Sequence, residues 1–147
     1  MKKIILGLSL LVSCSFAATL QETQAQCAKN KTVACYNLGV MHLNGMGVEK
    51  NTEKALEYFT KACKRGDVAS CTNIGDIHLS SGDPILAAHY YLNGCDRGDA
   101  NSCKKVGNIY YGENIVFKRD LPKSQYYYKA ACDLGDENGC NLYNVIK

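Results

Sequence analysis

Cys63-Lys64-Arg65-Gly66-Asp67-Val68-Ala69-Ser70-Cys71 is the stretch on which the fold turns. Two cysteines stand eight residues apart around a Gly-Asp step. The same spacing recurs at Cys27 and Cys35, Cys95 and Cys103, and Cys132 and Cys140. Three residues after each first cysteine stand Asn30, Gly66, Gly98 and Gly135. These residue types best accept the left-handed backbone that closes a helix. Asp67, Asp99 and Asp136 follow directly and suit the cap of a following helix. Such a segment is a tight helix-turn-helix corner whose two cysteines face each other across the turn.

Outward from the corners the chain repeats. Successive first cysteines lie 36, 32 and 37 residues apart, a period that marks stacked helical hairpins. Asn51, Asp83 and Asp120 each stand 12 residues before a cysteine and suit the cap of each repeat's second helix. Pro84 fits the first helical position after Asp83. Ala55, Ala87 and Ser124 share one aligned position, and Tyr58-Phe59, Tyr90-Tyr91 and Tyr127-Tyr128 share another. On the first helices, Leu38-Gly39, Ile74-Gly75 and Val106-Gly107 align. A helical glycine costs about 1 kcal/mol against alanine, so three at one position imply a second helix passing too close for a side chain. The loops joining the two helices vary (Asn44 to Val48, a loop four residues shorter, then Gly112 to Lys118), as expected of a solenoid. The expected fold class is all-α, a right-handed α-solenoid of stacked helix-turn-helix repeats, each corner stapled by a disulfide. Repeats are expected at about 34–69, 70–101 and 102–138, with a capping half-repeat at 139–147 where Tyr143 and Asn144 replace the Leu-Gly pair.

The chain has 147 residues, 46% hydrophobic and 21% charged, which excludes a disordered chain and suits one domain. No apolar run approaches the roughly 20 residues needed to span a bilayer. Lys2 and Lys3 precede an apolar segment, Ile4 to Val12, and a small-residue exit, so residues 1–17 read as a secretory signal cut after Ala17. Leu11-Val12-Ser13-Cys14 also fits a lipoprotein signal that acylates Cys14. Either way an odd count of nine cysteines becomes eight. Without Lys2 and Lys3, 15 basic residues face 14 acidic ones, which gives no electrostatic argument for nucleic acid or anionic lipid. Eight cysteines allow roughly a hundred pairings; the constant gap and an exported context favour the four sequential disulfides. The competing zinc reading wants cysteines two to four residues apart, so no metal and no cofactor is expected. Closing a loop of about nine residues stabilises by roughly 2.5 kcal/mol on the chain-entropy model.

The unit from Ala34 to Ala62 reads Ala-Cys-x-x-Leu-Gly, Gly-x-Gly-Val, Lys54-Ala55, Tyr58-Phe59 and Lys61-Ala62. It resembles the Sel1-like repeat, a relative of the tetratricopeptide repeat. With the eight-residue cysteine pairing, the chain resembles the secreted Helicobacter cysteine-rich protein family over about residues 20 to 147. The resemblance implies a protein-interaction scaffold. It also implies β-lactam chemistry, because members of that family are described as penicillin-binding proteins or β-lactamases.

A serine β-lactamase needs a Ser with a Lys one helical turn on, plus Ser-Asp-Asn and Lys-Thr-Gly elements. Ser102 and Lys105 supply the first spacing only; Lys31-Thr32-Val33 is the nearest miss to the last. Ser102 also aligns with Ala34, Ser70 and Gly139, a position that wants a small residue. His42 and His78 align with Tyr110, a packing position that accepts an aromatic ring. Tyr36, Tyr111 and Tyr126 fall outside the repeated pattern and are candidates for a binding surface. Asn37, Asn73 and Asn108, on first helices, are the candidate contacts, because asparagine offers a peptide backbone both donor and acceptor. The expectation is a secreted or periplasmic monomer that binds a peptide, a protein or a peptidoglycan-like ligand, with β-lactam binding or hydrolysis as the alternative.

Overall fold

A computed structural model describes residues 19–112 and 118–146. The expected leader, Cys14 included, lies outside the described residues, as do residues 113–117 of the third loop and Lys147. Among the described residues there are eight helices and no strand. Helix α1 covers 19–28. It is followed by α2 (Thr32–Asn44), α3 (Thr52–Lys64), α4 (Val68–Ser80), α5 (Pro84–Asp96), α6 (Ala100–Tyr111), α7 (Leu121–Asp133) and α8 (Glu137–Val145). The fold class is that of the α-solenoids: helix-turn-helix repeats with oxidised corners. Two compact units divide between Asp67 and Val68.

In the first unit, α1 is a second helix without a described first helix, and the expected repeats left it unassigned. It joins α2 through Asn30, a non-glycine residue held at φ 66°. The Asn30 amide donates to Cys27 O and the Lys31 amide to Gln26 O, the paired bonds of a Schellman closure. Lys31 gives α2 no side-chain cap, where the later corners carry aspartate. The Arg65 guanidinium instead reaches across to donate to Asn30 Oδ1 and to the Cys35 sulfur. The core gathers Cys27, Ala34, Cys35, Leu38 and Ala62. Helix α3 starts on Asn51, whose side chain accepts from the Lys54 amide at 2.8 Å. It approaches α2 so closely that a Cβ on Gly39 would fall 2.6 Å from the Phe59 ring.

The second unit runs the same construction from α4 to α8. Asp83 and Asp120 cap α5 and α7 by accepting from Leu86 and Lys123 amides, and Pro84 sits in the first turn of α5. Asp99 and Asp136 cap α6 and α8, each just after a glycine in the left-handed region (Gly98 at 84°, Gly135 at 94°). Gly75 and Gly107 lie against Tyr91 and Tyr128, where an added Cβ would stand 2.4 and 2.5 Å from a ring carbon. Small residues also meet at the corners: Gly94 faces Ser102 and Gly139 faces Ala131. Ser124 takes the place of an alanine at no cost in polarity, since its buried hydroxyl donates to Gly107 O at 2.9 Å.

One main-chain bond closes every repeat. The amides of Asn51, Asp83 and Asp120 donate to the carbonyls of His42, His78 and Tyr110, each at 2.8 Å. The partners are nine, five and ten residues apart, so loop length varies while the closure does not.

Candidate functional site

The first helices carry one aligned position, five residues after the second cysteine, occupied by Val40, Asp76 and Asn108. Facing it from the second helix is the ring that crowds the glycine: Phe59, Tyr91 or Tyr128. The two sets are matched. Phe59 has no hydroxyl and Val40 no acceptor. Tyr91 donates to Asp76 Oδ1 at 2.5 Å, and Tyr128 donates to Asn108 Oδ1 at 2.7 Å. Both rings are almost wholly buried, and a buried hydroxyl left unpaired costs about 1–3 kcal/mol.

Lys105 joins this cluster from α6. Its Nζ donates to Asp76 Oδ1 at 2.8 Å and lies 5.4 Å from the Tyr91 ring centre. Burial, and then the Asp76 carboxylate holding its proton, push the Tyr91 hydroxyl far above the ordinary phenol value. Burial raises that of Tyr128 as well. Leu79, Tyr91, Lys105, Asn108 and Ile109 enclose a hollow of about 230 Å³ beside the cluster. Its floor is apolar and its polar rim is half-exposed.

Of the three candidate asparagines, Asn108 belongs to this cluster. Asn73 spends its side-chain amide on Ala69 O, one turn back on its own helix. Asn37 lies in the first unit, at a hollow of about 560 Å³ shared with Lys29, Lys31 and Val33. Asn37 and Asn73 stand two residues after a cysteine and Asn108 five after, so the three do not share a register.

Ser102 is fully buried. Its hydroxyl shares a 2.7 Å hydrogen bond with Thr72 and packs on Gly94, while its amide is capped by Asp99. Lys105 is held at Asp76. This is the geometry of a packing serine, with no access for a substrate carbonyl. The neighbouring Lys104 reaches the next corner, 2.7 Å from Asp136, and holds that carboxyl below its usual range with help from the Gly139 and Asn138 amides.

The aromatic pairs also follow the repeat. His42 stacks on Tyr58, His78 on Tyr90 and Tyr110 on Tyr127, with ring centres 5.6 to 5.9 Å apart. Tyr36 turns toward the core, its ring 6.0 Å from Phe59. Tyr126 stays 69% exposed and Tyr111 lies under Arg119. Among the described residues no group of three or more His, Cys, Asp and Glu is placed to hold a metal.

Cys27–Cys35, Cys95–Cys103 and Cys132–Cys140 are disulfides with Cα atoms 4.8, 4.5 and 4.4 Å apart. Cys63 and Cys71 are disulfide-bonded too. What the sequence reading missed is the Tyr91–Asp76–Lys105 and Tyr128–Asn108 pairing. Its signal was present: acceptor and phenol appear together in repeats two and three and are absent together in repeat one.

Helices in this order, with oxidised corners, define a helical-repeat protein of the disulfide-stapled kind. The Sel1 repeat family model matches residues 32–67, 69–99 and 100–136, and the chain belongs to the Sel1 repeat family. The matched repeats begin one or two residues before the expected boundaries, where the first helices start. Three of the solved structures similar to the chain are the following. A Sel1 repeat protein from Oxalobacter formigenes is 27% identical (TM-score 0.73; 83% of this chain, 51% of that one). Cysteine rich protein B of Helicobacter pylori is 22% identical (TM-score 0.63; 89% and 96%). A protective antigen of uropathogenic Escherichia coli, displaying an SLR fold, is 16% identical (TM-score 0.77; 88% and 29%). The chain therefore spans about three tenths of the antigen and half of the Oxalobacter protein. No curated protein matches the chain.

Proposed function

We propose that this protein is an exported, monomeric scaffold that binds an extended segment of another protein on the outward positions of its first helices. Sel1 repeats mediate protein–protein interaction. The observation that carries the reading is the contrast within each first helix. Core-facing positions repeat (an aliphatic residue then glycine at Leu38-Gly39, Ile74-Gly75 and Val106-Gly107), whereas one outward position differs in all three repeats (Val40, Asp76, Asn108) and another keeps asparagine in two and turns to lysine in the third (Asn37, Asn73, Lys105). Repetition inside with variation outside is how a repeat array holds its frame and specifies a ligand. Export is supported by the oxidised cysteines, since disulfides persist outside the reducing cytosol. Among the described residues no helix is long and apolar enough to cross a membrane.

Display of random octapeptides against immobilised, oxidised protein tests the binding reading. Enrichment of peptides that are lost when the disulfides are reduced is expected; equal capture by oxidised and reduced protein, or no enrichment, overturns it. Export has its own test in the mass of protein taken from its native compartment. A chain beginning at Ala18 with eight oxidised cysteines is expected, a chain acylated at Cys14 corrects the cut site, and cytosolic protein with free thiols rejects export.

A further inference from the structure

The hollow beside Tyr91 combines two features that together fit one kind of ligand. Its wall is Leu79, Ile109 and the Tyr91 ring, apolar and sized for a single side chain. Lys105 and Asn108 give it a polar rim, and Asp76 adjoins that rim through its bonds to Tyr91 and Lys105. Tyr128 occupies Asn108 Oδ1, which leaves the side-chain NH2 of this exposed residue as the donor. Tyr91 and Lys105 both bond to Oδ1 of Asp76, whose side chain is 45% exposed, so Oδ2 remains to accept. Lys105 keeps further N–H donors beyond the one it gives to Asp76.

Donor and acceptor thus stand side by side, and the lysine and aspartate charges cancel. Such a rim matches the alternating N–H and C=O of a peptide main chain, which is neutral, better than it matches an isolated anion or cation. We propose that this hollow anchors one apolar side chain, of leucine size, from an extended peptide whose main chain lies across Asp76, Lys105 and Asn108. The assignment rests on the scaffold reading above and names its anchor.

The probe is Ac-Gly-Leu-Gly-NH2, titrated into the oxidised full chain and followed by amide NMR. Saturable shifts of the Asn108 side-chain amide and of the Leu79 and Ile109 main chain are expected. Binding should be about tenfold weaker for Ac-Gly-Ser-Gly-NH2, which lacks the apolar side chain. Leu79→Lys should weaken the leucine probe to a similar degree while leaving the unfolding temperature unchanged, because Leu79 is an exposed residue. Equal binding of the two probes, or undiminished binding to the variant, overturns the anchor. So does tighter binding of Ac-Gly-Leu with a free carboxylate, which would make the site one for a chain terminus. If displayed octapeptides bind the wild type and Leu79→Lys alike, the anchor falls and the scaffold reading stands. If no peptide binds anywhere, the scaffold reading falls, and the anchor with it.

Discussion

Repeat one and repeats two and three use the same crowded glycine yet finish the second-helix ring differently. Phe59 packs on Gly39, and the position aligned with Asp76 and Asn108 is Val40, a wholly apolar solution. Tyr91 and Tyr128 pack on Gly75 and Gly107 in the same way but carry a hydroxyl to Asp76 and Asn108 at the surface. The ring is common because the helix spacing is set by glycine. The tip can differ because the hydroxyl, itself buried, is satisfied by a partner on the first helix that stands at the surface, and changing that pair lets one frame carry different outward chemistry. The corners differ similarly: Asn30-Lys31 with Arg65 above it in the first, Gly-Asp in the last two.

The largest expected effect comes from the corners. Replacing Cys132 and Cys140 together by alanine should cost about 2.5 kcal/mol in urea unfolding, and Cys27 with Cys35 about as much. The two should part company under reductant. Cys132 and Cys140 are half-buried and Cys27 and Cys35 buried, so alkylation and mass spectrometry should find the former reduced first. The reverse order would mean that the Arg65 corner opens more readily than its burial suggests.

Exchanging the ring solutions comes next. Phe59→Tyr should cost about 2 kcal/mol by burying a hydroxyl with no acceptor at Val40. Adding Val40→Asn should recover about 1 kcal/mol of it; no recovery would show that the pairing does not transfer between repeats. Tyr91→Phe should cost about 1 kcal/mol, because Asp76 keeps Lys105.

The phenols also predict an alkaline limb. Tyr91 and Tyr128 have folded-state values raised above the ordinary 10. Their contribution to stability is complete below that pH and falls as pH climbs above it. Unfolding free energy measured across that range should decline less in the Tyr91→Phe, Tyr128→Phe double variant. Smallest is the ion pair at the last corner. Asp136 is held below its ordinary 3.8 by Lys104, so its contribution is present above about pH 4 and lost as pH falls further. Lys104→Met should cost under about 1 kcal/mol near neutrality and should shrink that acid-side loss.

The corner and the caps were legible because each is a local matter, and the glycine contact because it recurs at one aligned position. Gly98 and Asp99 act on residues three or four positions away, and Gly107 declares its crowding by recurring. The polar cluster was not legible in the same way. Lys105 meets Asp76 across 29 positions and Thr72 meets Ser102 across 30, so the pairing depends on which outward residue of one repeat faces which of the next. Asn108 was picked for its side chain, but its register, one turn beyond that of Asn37 and Asn73, is what places it beside Tyr128. Of helix α1 only the end was legible, at Asn30; its extent fell outside the expected repeats because a lone second helix brings no aligned partner.

The bond from Asn51, Asp83 or Asp120 back to the end of the preceding helix bears on engineering. Because closure is fastened at the loop's two ends, with Gly45 and Met46 also ending α2 on Met41 O, the residues between are cargo, and the span from Gly47 to Lys50 is a natural place to splice foreign sequence.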